Sequence, residues 1–324
     1  MTMTALVFTQ HGRLTPETVH LQEMPIPTPK ADEVLVEIKA AALNRLDLWV
    51  LAGWPSLRLD LPHIMGSDGA GVITAVGENV KEWAIGDRVA LNPGLSCGQC
   101  AYCLRGQDNR CVRFAVLGEH VPGLFARYQA VPARNLLALP EGVSFATAAA
   151  ATLVTITAWH SLITAGGLRA GEEVLIVGAG GGVNTAAIQI AKLAGAKTVY
   201  VVGSDDEKLG RAQALGADVL LNRQRENWSK AIYQLTNKRG VDIVVDNVGA
   251  ATYPDSLRAL GRGGRLLTVG NTSGPTVQID NRLLFGKHLS LIGSTMATRQ
   301  DFLTAMEMVF HGRVQAVIDT IYPL

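Results

Sequence analysis

The second half of the chain contains four short apolar runs that alternate with helical stretches, and this pattern constrains the fold most. The runs are EVLIV (173–177), TVYVV (198–202), VDIVV (241–245) and RLLTV (265–269). Strands in a parallel sheet are continuous apolar runs of this kind, because helices cover both faces of the sheet. The pattern predicts an α/β fold with a doubly wound parallel sheet.

A glycine-rich turn directly follows the first of these runs. Its sequence, GAGGGVN (178–184), leads into the helical stretch AAIQIAKLAG. Glycine lets the backbone approach a pyrophosphate closely, and the N–H groups at a helix start favour an anion. The turn predicts a Rossmann dinucleotide-binding domain, and a plain strand-to-helix turn is the alternative. The cofactor-binding residues would be Gly180, Gly181, Gly182 and Val183.

The end of the second run bears on the choice of dinucleotide. An acidic residue there would bind the ribose hydroxyl of NAD, whereas small or basic residues admit the 2′-phosphate of NADP. The segment reads GSDDEK (203–208), and its acids could equally begin the next helix, whose dipole favours negative charge. Ser204, Lys208 and Arg223 favour NADP, with NAD as the alternative.

All four cysteines of the chain interrupt a first half that reads as short strands and turns and predicts a barrel-like β region. They are Cys97, Cys100, Cys103 and Cys111. The C-x2-C-x2-C-x7-C spacing brings four thiolates to one tetrahedral ion, and four sulfur ligands suit a structural zinc. Disulfides between cysteines three residues apart would be strained, and ferredoxin runs have a closer last cysteine followed by proline. We therefore predict one structural zinc.

Composition narrows the function classes. A chain of 324 residues predicts two domains, and a net charge of +1 without lysine or arginine runs gives no footprint for nucleic acid. We expect a small-molecule substrate.

The 27 uncharged residues at 142–168 could span a bilayer by length, but alanine and threonine contribute little to insertion. We expect a buried or domain-bridging helix, no membrane partner and, since no signal-peptide pattern is present, a cytoplasmic protein.

In chain order, the β-rich region, the four-cysteine segment and the dinucleotide domain resemble the medium-chain dehydrogenase/reductase superfamily. ALNRLDLW, GSDGAGVI, DNVG and IGSTM are similar to motifs of its quinone oxidoreductase-like and alcohol dehydrogenase-like members. The resemblance covers essentially the whole chain. It implies a GroES-like catalytic domain with a zinc lobe, a Rossmann domain, a cleft between them, and a homodimer that pairs through an edge strand near LSLIGSTM.

The chain departs from the zinc alcohol dehydrogenases at the place of the catalytic metal. Asn44 stands where those enzymes have a cysteine ligand, Ser67 where they have a histidine, and Leu153 at the place of the third ligand. Asp68 replaces a glutamate, while the acidic residue Asp47 is kept. The resemblance implies a member with the structural zinc but without the catalytic one.

Missing metal ligands favour one kind of reaction. Alcohol oxidation develops alkoxide character, which zinc favours by lowering the pKa of a bound hydroxyl from about 16 to about 7. A quinone or α,β-unsaturated carbonyl is already electrophilic, so its reduction needs mainly positioning and enolate stabilisation. We predict an NAD(P)H-dependent reductase of such substrates. An alcohol dehydrogenase with unrecognised ligands and a non-catalytic NADP-binding protein are the alternatives.

The same resemblance assigns the remaining site residues. Asn44 would orient the nicotinamide ribose. The residues lining the nicotinamide side would be Asn247, Val248, Gly249, Gly270 and Asn271, although Gly270 and Asn271 could also form a plain strand-end turn. Asn184 stands where the superfamily has its third glycine, and we expect it to lift the helix slightly without decisively weakening fold or cofactor binding.

Domain boundaries follow from these assignments. We predict a GroES-like catalytic domain at residues 1–143 with the zinc lobe at 92–112. A Rossmann domain should occupy residues 144–290, its first helix (144–167) bridging the two domains. Residues 291–324 should begin the return to the catalytic domain, and the chain looks truncated because relatives continue with another helix and a closing strand.

Overall fold

The computed structural model describes residues 1–324 and divides into two compact units. The first unit comprises Met1–Leu153, Thr298–Gly312 and Ala316–Leu324, and the second comprises Val154–Ala297 and Arg313–Gln315. The chain therefore builds most of the first unit, then the second, and then returns to the first.

Ten strands form antiparallel sheets in the first unit. They are β1 (Thr2–Phe8), β2 (Val19–Pro25), β3 (Glu33–Ala42), β4 (His63–Ile64), β5 (Asp68–Val76), β6 (Arg88–Leu91), β7 (Gly94–Leu95), β8 (Ala115–Val116), β9 (Tyr128–Pro132) and β10 (Leu136–Ala138). The sheets have the orders β2-β1-β4, β10-β6-β5-β3-β9 and β7-β8. In β1, Met3, Ala5 and Val7 are buried while Thr2 and Thr4 are exposed, as expected for a strand with one face on a core.

A helix interrupts this β-rich unit, which corrects the expectation of an all-β first half. α1 (Arg45–Ala52) begins within the segment ALNRLDLW and extends three residues beyond it. The Asp47 carboxylate accepts a hydrogen bond from the Asn44 backbone N–H over 2.6 Å, which satisfies a donor at the helix start. The helix ends at Gly53, whose φ of +73° is one that glycine adopts without strain.

The second unit is built on six parallel strands. They are β11 (Glu173–Val177), β12 (Thr198–Gly203), β13 (Val219–Asn222), β14 (Val241–Asp246), β15 (Leu260–Thr268) and β16 (Ser290–Gly293), in the order β13-β12-β11-β14-β15-β16. The helices between them are α3 (Gly182–Leu193), α4 (Asp206–Ala214), α5 (Trp228–Leu235), α6 (Tyr253–Ala259) and α7 (Asn281–Lys287). This order is that of the doubly wound dinucleotide-binding fold, whose ligands bind at the carboxyl ends of the strands.

Two helices lie where the chain passes between the units. α2 (Phe145–Trp159) continues as a π-helical segment over His160–Ala165. The segment Phe145–Ala165 is long and apolar enough to cross a membrane, but 67% of its most apolar window is buried within the protein. The second helix, α8 (Arg299–Phe310), belongs to the first unit and is capped by Thr298 and Asp301.

Candidate active site and zinc lobe

The four cysteine side chains converge on one point of the first unit. Their Sγ atoms all lie within 4.8 Å of one another, with Cys103 3.5 Å from Cys100 and 3.9 Å from Cys97. Sulfurs that ligate a tetrahedral zinc at about 2.3 Å lie about 3.8 Å apart. The cluster therefore fits zinc, and no other group of three or more histidine, cysteine or carboxylate side chains is arranged to hold a metal.

Backbone amides favour the thiolate form of Cys97 and Cys100, whereas burial raises the pKa of Cys103 to about 11. The Cys97 N–H points at the Cys111 sulfur over 3.2 Å, and the Cys100 N–H points at the Cys97 sulfur over 3.3 Å. Backbone N–H groups, that of Gln99 above all, lower the pKa of Cys97 to about 5. Because zinc binds the thiolate and not the thiol, these donors prepare the cluster for the metal.

Polar contacts join the zinc lobe to its surroundings in the first unit. The Asp108 carboxylate accepts the Arg299 backbone N–H at 3.0 Å, at the first residue of α8. The Arg299 side chain donates to the Arg134 carbonyl at 3.0 Å, and Arg134 donates to the Ser96 carbonyl. These four residues line a cleft of about 290 Å³ beside Cys103. The contacts across this cleft anchor the zinc lobe to the residues that follow β9 and to the start of α8.

The residues that the resemblance places at the catalytic metal lie in a network of amide and carboxylate groups. Asn44 Nδ2 donates to Asp68 Oδ2 at 2.8 Å, and the Leu153 backbone N–H donates to Asp68 Oδ1 at 2.7 Å. The Asp47 and Ser67 side chains are almost fully buried, and Asp47 Oδ1 and Ser67 Oγ have no hydrogen-bond partner. The residues that the sequence analysis aligned with the metal ligands are thus close together, but they offer neither cysteine nor histidine.

Burial changes the acidity of both carboxyl groups in this network. It raises the pKa of Asp47 to about 6 and the pKa of Asp68 to about 7. Hydrogen bonds from Asn44 and Leu153 act in the opposite direction on Asp68, and the neighbouring Asp47 charge adds to the increase. No cation compensates these groups within the network, so proton uptake is the way in which the network reduces its charge.

The glycine turn of the second unit leaves its backbone open at the start of α3. Gly178 has φ +112°. Gly181 is the N-terminal cap of α3 and caps it with no side chain, and a side chain added there would meet no atom within 4 Å. A Cβ on Gly182, in contrast, would lie 2.7 Å from Val154. The unshared N–H groups and open space at Gly181 fit a pyrophosphate.

At the end of β12, both aspartates of the segment GSDDEK are engaged in hydrogen bonds. Asp205 accepts the Lys208 backbone N–H at 2.9 Å and caps α4, while Asp206 accepts from Asn222 at 2.8 Å. A Cβ on Gly203 would lie 2.9 Å from Leu209, which leaves no room for an acidic side chain there. The predicted residues Ser204, Lys208 and Arg223 follow the adjacent ends of β12 and β13, where the Arg223 N–H donates to the Gly203 carbonyl.

Loops after β14 and β15 contain the remaining predicted residues. The buried Asp246 carboxylate accepts from the Val248 and Gly249 N–H groups and from the hydroxyls of Thr252 and Ser256, at 2.6–3.2 Å. Ser273 N–H donates to the Val248 carbonyl at 2.7 Å, which joins the two loops. The loops bring Asn247, Val248, Gly249, Gly270 and Asn271 to one edge of the sheet. Sequence reasoning missed Asp246 as their anchor, although the DNVG motif contains it.

Comparisons with known proteins bear on the assignment. Residues 30–141 match the alcohol dehydrogenase GroES-like domain, and residues 182–311 match the zinc-binding dehydrogenase family. Acryloyl-coenzyme A reductase of Sulfurisphaera tokodaii is 33% identical over 92% of this chain and 87% of that protein. This chain belongs to the medium-chain dehydrogenase/reductase superfamily. An alcohol dehydrogenase of Schizosaccharomyces pombe is also 33% identical, over 96% of this chain and 88% of that protein.

A solved structure agrees with this membership in the medium-chain dehydrogenase/reductase superfamily. The crystal structure of an NAD-dependent alcohol dehydrogenase has a TM-score of 0.91 and 43% sequence identity, covering 97% of this chain and 90% of that one. The predicted superfamily and fold class are therefore confirmed. The protein is an oxidoreductase of small molecules with sites for a nicotinamide dinucleotide and for zinc.

Proposed function

We propose that this medium-chain oxidoreductase reduces quinones or α,β-unsaturated carbonyl compounds with NADPH and uses no catalytic metal. The observation that supports this most is the network around Asn44, Asp47 and Asp68. It occupies the place of the catalytic metal site with a side-chain amide and two buried carboxyl groups. Zinc prefers cysteine and histidine at such sites, and neither residue is present there.

The electrostatics of this network favour reduction of an activated double bond. In their ionised form, the two buried carboxyl groups of Asp47 and Asp68 would destabilise a developing alkoxide nearby, because like charges repel in a buried environment. An enone or quinone spreads the charge it gains over several atoms. Its reduction therefore depends less on a cation at the site.

Each part of the site then has a role that its own contacts support. A bound reduced nicotinamide would supply the hydride for the electrophilic carbon of the substrate, and solvent would supply the proton. Gly180–Val183 would hold the pyrophosphate at the start of α3. The Asn44 amide, whose nitrogen donates to Asp68, would orient the nicotinamide ribose.

Similarity to acryloyl-coenzyme A reductase supports this proposal, because acryloyl thioesters carry an activated double bond. Two alcohol dehydrogenases, 33% and 43% identical to this chain, support a second candidate, alcohol oxidation. That candidate needs a second metal in each chain, and the cysteine cluster is the one group arranged to hold a metal. Metal content together with substrate range separates the two candidates.

The substrate class is tested by turnover of a panel of compounds by the zinc-loaded protein. We expect NADPH oxidation with quinones and enones, including acryloyl thioesters, and no NADP reduction with secondary alcohols. Zinc analysis should give one ion per chain. Alcohol turnover accompanied by a second zinc would reject the proposal, and tight NADPH binding without any turnover would indicate a non-catalytic protein.

The choice of NADP is a second proposal, supported by the engaged acids and closed space at the end of β12. We expect a lower KM for NADPH than for NADH. Arg223→Ala should weaken NADPH binding about tenfold, since a hydrogen bond to a charged group contributes about 1.5–3 kcal/mol, and leave NADH binding unchanged. Arg225→Ala is the matched control, because Arg225 is already paired with Asp206. A parent protein that prefers NADH, or equal effects on both dinucleotides, would contradict the proposal.

Assembly is proposed from the position of β16. This strand is at one edge of the six-stranded sheet, and its Leu291 is 41% exposed. An exposed edge strand can pair with a second copy by backbone hydrogen bonds. We infer that two copies pair there in a homodimer, as the resemblance implies.

A further inference from the structure

Two hydrogen-bonded side-chain amides, one buried and one half-buried, run across the carboxyl ends of three neighbouring strands in the second unit. This chain of amides begins at Asn184, in the first turn of α3, which is 6% exposed. Asn184 Nδ2 donates to the carbonyls of Val177 and Gly178, each at 2.9 Å. Both hydrogens of this nitrogen are thus used, and they tie the helix to the end of β11.

The chain continues through Asn247. Its Nδ2 donates to Asn184 Oδ1 at 3.0 Å, and its Oδ1 accepts the Val269 backbone N–H at 2.9 Å. The two carbonyl partners of Asn184 fix which end of its amide is the nitrogen, and this in turn fixes the orientation of Asn247. The contacts therefore connect the ends of β11, β14 and β15 in one arrangement.

Beyond Asn247, the contacts reach both loops predicted to line the nicotinamide. The Asn247 carbonyl accepts the Thr272 N–H at 3.3 Å, and the Val248 carbonyl accepts the Ser273 N–H at 2.7 Å. Asp246 holds residues 248–249 from within its own strand end. Asn184 is different, because it connects these loops to the glycine turn that holds the pyrophosphate.

A glycine at position 184 could not make these contacts. It would allow close packing of the helix, but it has no side chain to bond the Val177 and Gly178 carbonyls or to receive Asn247. In the structure, Asn184 Nδ2 lies 2.7 Å from the point where a Cβ on Gly178 would be, so the amide fills the space beside that glycine. The expectation that Asn184 merely lifts the helix therefore leaves out its bonding role.

We propose that Asn184 is a positioning residue for the nicotinamide and acts through Asn247. By holding residues 247–249 and 269–274 in one arrangement relative to the glycine turn, it sets where the nicotinamide lies once the pyrophosphate is bound. The proposal rests on the proposed hydride-transfer function for its kinetic consequence. Its structural consequence is that the loops at residues 247–249 and 269–274 are fixed in position, and this is expected even without substrate or cofactor.

Hydrogen–deuterium exchange of the cofactor-free protein tests the structural consequence. Asn184→Ala should speed amide exchange in residues 247–249 and 269–274 by about tenfold or more, because local opening sets protection there. Asn184→Gly, which restores the residue that the superfamily carries, should do the same and guards against a folding defect of the alanine variant. Thr185→Ala is the matched control. It removes one buried hydrogen bond, to the Gly182 carbonyl, in the same helix turn and should leave both loops unchanged. Unchanged exchange in both Asn184 variants would overturn the proposal.

Kinetics test the consequence for hydride transfer. Asn184→Ala should lower kcat by about tenfold or more while the KM for NADPH changes by less than about threefold, since small misplacements of reacting atoms are costly. Adding Asn184→Ala to Asn247→Ala should lower kcat no further, because the first residue acts through the second. If the double variant lost kcat by the product of the two single losses, the two residues would act independently, and the action of Asn184 through Asn247 would be overturned. If the parent protein turns over no substrate, the proposed function fails, and the exchange measurement still decides the role of Asn184.

Discussion

Cys103→Ser is expected to release the zinc and unfold the 92–112 lobe. The substitution removes one of four sulfur ligands, and little else holds the lobe together. Between residues 97 and 111 only Cys111 is buried, while Leu104 is 76% exposed. Structural zinc contributes about 10–16 kcal/mol to the folding of small peptides, which exceeds what so few apolar contacts supply. Zinc content should fall from one ion per chain to none, and protease should cleave within the lobe.

Leu104→Ala is the control for this experiment. It changes an exposed side chain on the same lobe and should keep both the zinc and the protease resistance. We choose Cys103 instead of the buried Cys111, because loss of Cys111 would also disturb packing. A Cys103→Ser protein that retains one zinc per chain and an uncleaved lobe would show that three sulfurs suffice and that packing holds the lobe.

The first unit is expected to lose stability as pH rises from about 4 to about 8. Asp47 and Asp68 have pKa values of about 6 and about 7 in the folded protein, against an ordinary value of 3.8. The folded state therefore binds more protons than the unfolded state in this range, so the free energy of unfolding falls with rising pH. The contribution is complete below about pH 4 and lost above about pH 7. For Asp68 alone, it is on the order of 4 kcal/mol.

Urea unfolding of the parent and of Asp68→Asn at several pH values checks this expectation. The variant should be less stable than the parent at pH 5, because an amide cannot accept both N–H donors that Asp68 accepts. Its stability should fall less between pH 5 and pH 8. Asp32→Asn, which alters an exposed carboxyl group, should follow the parent at every pH. A parent and Asp68→Asn protein with parallel pH profiles would refute the assignment.

The parallel sheet was the most predictable part of the molecule. β11 coincides with the run EVLIV. All five residues are buried, and four of them are apolar, while the carboxylate of the first, Glu173, is paired with Arg239. The helix α1 was not predicted, because its apolar pattern does not identify it as a helix. It has eight residues, of which Leu48 is 40% exposed, so its apolar pattern is too short and irregular to separate helix from strand.

The hydrogen bonds between site residues were less predictable from the sequence than the identities of the residues. Asn44 and Ser67 could be placed by their motifs, but the bond from Asn44 to Asp68 depends on the register of β3 and β5, in which Ala42 lies opposite Asp68. A single sequence contains no information on that register beyond its alternation pattern. The bond from Asn184 to Asn247 likewise needs β14 beside β11. The cysteine cluster needed no such information, because its ligands are close together in the chain.

The contact between Asp108 and Arg299 has a consequence for biosynthesis. The two residues are 191 positions apart, and Val154–Ala297, which form nearly all of the second unit, lie between them in the chain. At about 5–20 residues per second, a ribosome needs about 10 to 40 s to translate that distance. Throughout this interval the nascent lobe lacks its partner α8, so metal captured by the emerging cysteines would protect it until translation reaches the last helix.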